Sequence, residues 1–301
     1  MKKPKLIVIL GPTATGKSEL GVKLAKKFKG EIVSADSRQV YKGMDIGTGK
    51  IKKKERQGIP HHLLDVVSPK RKFNVWQYQK LAKKAIEKIL KKQKLPFLVG
   101  GSPFYIYTLV EGWTFPKLKP DWRLRKNLEK KSAKELFEIL KKLDPKRAKT
   151  IEQKNKRRLI RAIEIVKQLG KVPPLKKSPQ YQCLLLGLKK PKEELKKLIK
   201  KRLLKRLRQG MIAEVKKLKK EGLSWKHLEE FGLEYKWVAF YLQKKISKKE
   251  MIENLQKEIE KFARRQMTWF KKDKRIKWVK DYCQAKKLIR NFLYNRTNVG
   301  F

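Results

Sequence analysis

LIVILGPTATGKSEL, residues 6–20, decides the fold. An apolar, β-branched run reaches Gly11, and Gly11 to Ser18 fits G-x-x-x-x-G-K-[ST]. The run KLIVIL (5–10) is short and has no polar alternation, so it reads as a parallel strand buried on both faces. Glycines let backbone N–H groups close around phosphate oxygens, and a helix from Ser18 to about Phe28 adds its positive end. The candidate phosphate ligands are Gly11, Thr13, Ala14, Thr15, Gly16, Lys17 and Ser18. Their main-chain donors, the Lys17 ammonium and Mg²⁺ held on the Ser18 hydroxyl would share the charge. The loop does not name the phosphate. A nucleoside triphosphatase, a kinase and another diphosphate chemistry remain open, and the first would also need a carboxylate on a second strand.

Two further strands answer part of that. EIVSAD (31–36) ends on a carboxylate, Asp36, and LPFLVGGS (95–102) ends in a glycine turn and Ser102. Between them WQYQKLAKKAIEKILKKQ (76–93) repeats apolar residues at helical spacing, at Leu81, Ala85 and Ile89. Strands alternating with helices predict an α/β fold, a P-loop-type parallel sheet flanked by helices. Ligands of such sheets collect at the carboxyl ends of strands, so the phosphate loop, Asp36 and Ser102 are predicted to converge. From Phe115 the pattern changes to Pro-punctuated helical segments near 121–131, 133–143 and 155–169, closed by GKVPPLKKSP. This predicts an all-helical insertion, 115–182, within a discontinuous core of 1–114 and 183–301. CLLLGL (183–188) returns as a strand, and helices are expected over 191–220, about 234–243 and about 247–271.

Composition bounds the partners. The net charge is +54, from 82 Lys and Arg against 28 Asp and Glu, which points to a polyanion, although most of these cations are lysines on amphipathic helix faces. Two distant cysteines, Cys183 and Cys283, fit a reducing cytoplasm, and three histidines make no credible metal cluster. No apolar run approaches the length that spans a bilayer. Asp36 suits a general base and also suits the cap of a turn. Ser37, Arg38 and Gln39 behind it carry donors and acceptors fit to read a base edge.

The run SADSRQVYKGMDIGTGK (34–50) resembles the signature of the tRNA dimethylallyltransferases, enzymes that prenylate adenosine 37 beside the anticodon. GPTATGKS, IPHHLLDVVSP (59–69), LVGGSPFYIYTLVEG (98–112), NKRRLIRAIEI (155–165), FGLEYKWVAFYL (231–242) and RRQMTWF (264–270) are similar to further family motifs, in family order. The resemblance runs from residue 6 to about 279, and the tail beyond matches nothing. It implies dimethylallyl diphosphate as donor, a tRNA anticodon stem-loop as acceptor, Mg²⁺ as cofactor and a monomer in the cytoplasm. It implies Asp36 as the base acting on adenine N6, Ser102 as a hydroxyl on the adenine or a proton relay, and Arg202 as a diphosphate ligand. It further implies Asp36, Ser37, Arg38, Gln39, Ser102, Arg125, Arg157, Arg158 and Arg161 as tRNA contacts. Ser102 stands where the family often has Thr, and FGLEYK departs from its usual form. Arg202 also fits a solvated charge, and Trp269 and Phe270 fit core positions. Tyr105, Tyr107, Trp113 and Phe115 fit either a prenyl pocket or core. A kinase using ATP on the same loop and a general RNA-binding protein are the competing readings.

Overall fold

The computed structural model describes residues 3–116 and 118–294. They form two compact units, Met1–Gly112 with Pro179–Phe301, and Trp113–Ser178.

The first unit is built on a six-stranded parallel sheet. Its strands are β1 (Lys5–Leu10), β2 (Gly30–Ala35), β3 (His61–His62) and β4 (Leu95–Gly100), with β7 (Gln182–Gly187) and β8 (Lys277–Trp278) following the second unit. The order is β3-β2-β4-β1-β7-β8. β1 lies inside, between β4 and β7, and Leu6 to Leu10 have no exposed surface. That is why its sequence is apolar throughout: a strand covered on both faces has no solvent side to make polar. Its carboxyl end, where the phosphate loop begins, is therefore anchored by the most buried part of the molecule.

Helices α1 (Lys17–Lys27), α2 (Val75–Lys91) and α3 (Pro103–Val110) belong to this unit. The face of α2 that is buried carries Tyr78, Ala82, Ala85, Ile86 and Ile89, while Leu81, expected on the apolar face, turns outward. α3 is apolar on nearly all sides, with Tyr105 to Val110 buried, so it shows no helical period in sequence.

The second unit holds β5 (Trp113–Thr114), α4 (Trp122–Glu129), α5 (Ala133–Leu143), α6 (Pro145–Ala148), α7 (Lys156–Leu169) and β6 (Lys176–Lys177). Leu128, Leu136, Leu140, Leu159, Ile163 and Val166 make its own core. It is helical except for a two-stranded ribbon, Trp113 opposite Lys177 and Thr114 opposite Lys176. The ribbon draws residues 113 and 114 into this unit, and the unit ends at Ser178, ahead of the 182 expected. Pairs of two residues carry no readable alternation, so the sequence hides them.

The first unit resumes with α8 (Lys192–Arg208), α9 (Met211–Lys220), α10 (Trp225–Phe231), α11 (Leu233–Leu242), α12 (Lys248–Phe270) and α13 (Tyr282–Tyr294). The helical stretch expected over 191–220 divides at Gly210, which adopts φ +97° and starts α9. The unmatched tail supplies α13, whose Ala285 and Ile289 join the core packed against α1.

At the amino end of β2, Glu31 is fully buried and accepts hydrogen bonds from His62 Nε2 (2.7 Å), Lys94 Nζ (3.0 Å) and Lys92 Nζ (3.3 Å). Burial alone would raise its pKa, but these donors outweigh it and hold the carboxyl at about 2. A depressed carboxyl stabilises the fold above its unfolded pKa, and that contribution is lost as pH falls from about 4.5 toward 2. Glu31→Gln is expected to lower stability at pH 7 by about 2 kcal/mol and to flatten the acid limb, measured by urea denaturation at a series of pH values. Phosphate binding, at the opposite ends of the strands, is expected to stay unchanged.

Candidate active site

The phosphate loop leaves β1 at Gly11, with φ +147° and no room for a side chain: a Cβ there would stand 2.3 Å from the Leu188 carbonyl oxygen. Ala14 (φ +65°) and Gly16 (φ +86°) continue the left-handed turn, and Gly16 caps α1. Thr15 Oγ1 and Lys17 Nζ both donate to the Pro12 carbonyl, at 2.9 and 2.5 Å, which closes the loop on itself. The first-turn amides of α1 have no partner within the helix and face an anion's natural seat. The Ser18 hydroxyl is exposed at the start of that helix. A cavity of about 20 Å³, room for a single water, opens among Ser18, Ser34 and Gln39.

One amide of the loop is already engaged. Thr13 N–H donates to Gln266 Oε1 at 2.9 Å, and Gln266 Nε2 donates to the Gly101 carbonyl at 2.6 Å. Thr13, expected as a main-chain phosphate donor, therefore gives its N–H to protein. Gln266 lies on α12, is buried and ties the loop after β1 to the loop after β4. Sequence reading passed over it, because one Gln in a charged helix carries no motif.

β2 and β4 are paired neighbours, and their ends bring the two catalytic candidates together. Asp36 Oδ1 accepts the N–H groups of Arg38 (2.8 Å) and Gln39 (3.3 Å), so the carboxylate does cap a turn, and Oδ2 remains for other work. Ser102 Oγ accepts from Ser37 N–H at 3.0 Å, which leaves its own O–H as a donor. Asp36, Ser37, Arg38 and Gln39 are all half-buried. Arg38 lies over the Phe231 ring, 5.5 Å from its centroid.

Charge gathers at this edge. Lys17 keeps some accessible surface, but protein encloses its ammonium, and burial first, then the Arg202 charge, push its pKa down to about 7 against the pull of Asp36. Arg202 is lowered to about 10, by burial and then by Arg206, with Glu234 and Asp36 opposing. Arg202 is thus no solvated helix charge: α8 delivers it into the field of Lys17 and Asp36. Lys50, itself buried, cross-ties the following loop through the Tyr41 carbonyl (2.9 Å), Asp45 (2.5 Å) and Asp65 (2.6 Å).

The remaining predicted residues divide. In the second unit the buried Glu164 accepts Arg125 in a two-point fork (2.8 and 2.7 Å), Arg161 and the Asp121 N–H. Arg125 and Arg161 thus hold their own unit together. Arg157 is exposed, and Arg158, also exposed, reaches Glu152 at 3.2 Å. Phe270 is buried as expected, but Trp269 is 38% exposed and stands edge-on to the exposed Phe104, 5.3 Å away. It falls one position off the buried face that runs from Met251 through Gln266 to Phe270. Tyr105, Tyr107 and Trp113 are buried, Tyr105 stacked on Tyr78.

A parallel sheet with a phosphate-loop turn after β1 and a carboxylate at the end of β2 defines a P-loop-like fold. The sequence pattern of the IPP transferase family matches residues 39–273. The tRNA dimethylallyltransferase of Halothermothrix orenii is 40% identical, over 96% of this chain and 93% of its own. Among solved structures, the full-length tRNA isopentenylpyrophosphate transferase of Bacillus halodurans superposes with a TM-score of 0.72 at 36% identity, covering 97% and 96% of the two chains. A eukaryotic dimethylallyltransferase, solved acting on tRNA, gives a TM-score of 0.83 at 28% identity, over 97% of this chain and 80% of that one. The chain belongs to the IPP transferase family.

At pH 8 the free Lys17, with its pKa near 7, is mostly neutral. A bound diphosphate ester, already fully ionised there because its last pKa lies near 6, restores the ammonium. Binding is expected to take up about one proton, read from calorimetry in buffers of different ionisation enthalpy, and Lys17→Met is expected to abolish the uptake. Gln266→Leu leaves the Thr13 N–H and Gly101 carbonyl unpaired, with an expected cost of about 2–3 kcal/mol in stability and at least tenfold weaker diphosphate binding.

Proposed function

We propose that this chain transfers the dimethylallyl group of dimethylallyl diphosphate to N6 of adenosine 37 in tRNA and releases diphosphate. The observation that carries this is the placement of Lys17 and Arg202, both with lowered pKa values, in the field of Asp36 at the strand ends. N6 bonds to C1 of the donor as the C1–O bond breaks, and the electron pair leaves with the diphosphate. The departing charge meets Lys17, Arg202 and the first amides of α1. An exocyclic amine is a weak nucleophile, so Asp36 takes its proton through the oxygen left free by the turn, and the Ser102 hydroxyl orients the base. Mg²⁺ would rest on the Ser18 hydroxyl. Such an ion takes most of its oxygens from phosphates and water.

Acceptor RNA would meet Ser37, Arg38 and Gln39 at the base and the second unit at its backbone. Arg157 and Arg158 are exposed there, as is Arg123, with Arg125 and Arg161 held by Glu164. An adenosine in a loop is cheaper to extrude than one in a duplex. Two free cysteines, one of them exposed, fit a monomer at work in the cytoplasm. ATP phosphotransfer on the same loop is not favoured, since the matched relatives are named as prenyl transferases of tRNA.

Labelled dimethylallyl diphosphate, Mg²⁺ and an anticodon stem-loop with three consecutive loop adenosines are expected to give labelled RNA, and absence of transfer by folded protein would overturn the assignment. Asp36→Asn is expected to lose at least a hundredfold in kcat with RNA affinity nearly unchanged. Arg158→Ala is expected to weaken RNA binding and reduce its salt slope by about one.

A further inference from the structure

The segment FGLEYK departs from the usual family form, and its glutamate has a partner that explains it. Glu234, in the first turn of α11, is buried and accepts a hydrogen bond from Arg206 at 2.8 Å. Arg206 is also largely buried, and the same Nη1 donates to the Gly47 carbonyl at 3.1 Å. Its other terminal nitrogen lies against Gly49, where a Cβ would stand only 2.0 Å away and where φ is +61°. The M-D-I-G-T-G loop is thus shaped to receive this guanidinium.

The opposite side of the loop is held as well. Glu214 on α9 accepts the N–H groups of Asp45, Ile46 and Gly47, at 2.9, 2.6 and 3.0 Å, and the hydroxyl of Tyr235 at 2.8 Å. The loop in turn touches the acceptor side of the site: Gln39 Nε2 donates to the carbonyls of Gly49 (3.4 Å) and Thr48 (3.5 Å). Arg206 is one helical turn beyond Arg202 on α8. One helix therefore carries a diphosphate candidate and, a turn later, a support for the base-reading segment.

We propose that Arg206, paired with Glu234, is a positioning residue for the acceptor: it fixes the Gly47–Gly49 loop, and through it Gln39, without touching the diphosphate. The inference rests on the transfer reaction proposed above. The pair has no net charge, so its joint removal leaves the field at Arg202 nearly unchanged while releasing the loop. Removal of Arg206 alone would instead strand a buried carboxylate and disturb both sides at once.

The test is therefore the paired variant Arg206→Met with Glu234→Leu, which keeps the volume filled. Transfer is followed with each substrate varied in turn, pyrophosphate affinity by calorimetry, and stem-loop affinity by fluorescence anisotropy. The expected result is a KM and Kd for RNA raised about tenfold or more, with the pyrophosphate Kd within about threefold of the unaltered protein. Arg206→Lys, which keeps the charge and one hydrogen bond, is expected to recover most of the RNA affinity. Weakened pyrophosphate binding with unchanged RNA binding would make Arg206 a diphosphate ligand and overturn the proposal. So would a paired variant that matches the unaltered protein in both affinities. If the paired variant does not fold, by its melting curve, Arg206→Lys and Glu234→Gln are compared for the same split, and an effect on the donor side alone overturns it equally. The binding measurements do not need turnover, so absent transfer by the unaltered protein would count against the reaction and not against the positioning role.

Discussion

Like charges held close together in a partly dry cleft are the constraint on which the rest of this molecule depends. Burial first, and then a neighbouring cation, lowers the pKa of Lys17, beside Arg202, and of Arg202, beside Arg206. Asp36 and Glu234 offset part of that cost, and neither neutralises it. A site with surplus positive charge and fixed donors is incomplete until an anion with several oxygens enters. Much of the architecture fixes the loops around these cations: β1 in the centre of the sheet, Gln266 across two loops, Glu214 and Arg206 on either side of a third. Helices alone would let such long side chains swing into water.

This division explains what could be read from the sequence. Buried parallel strands write their position as unbroken apolar runs, and the phosphate loop writes its backbone needs as glycines. Both were legible, together with Asp36 and Ser102 at the strand ends. α3 was not, because a helix buried on nearly every side has no period to detect. The ribbon of β5 and β6 was not, because two residues make no pattern. Among the site residues, Gln266, Arg206 and Glu214 act through long-range partners, and a polar residue in a Lys-rich helix looks the same whether it faces solvent or a loop 150 residues away. Arg202 was legible only by its likeness to a family position, since its own surroundings in sequence are all basic.

The excess of lysine is mostly a property of surfaces. In the second unit the buried Glu164 engages Arg125 on α4 and Arg161 on α7, while Arg157 and Arg158, also on α7, are exposed. An arginine that fixes Glu164 shapes the unit, and one that faces outward presents its charge to solvent.

The hydrogen bond from Thr13 to Gln266 spans 253 positions of chain. During synthesis the phosphate loop is made before Gln266, which follows it 253 positions later. The bonds of Thr15 and Lys17 to the Pro12 carbonyl are local to the loop, whereas its tie to Gln266 waits until α12 has emerged and docked. The tie between the loops after β1 and β4 is thus a late, long-range contact that forms only when α12 docks.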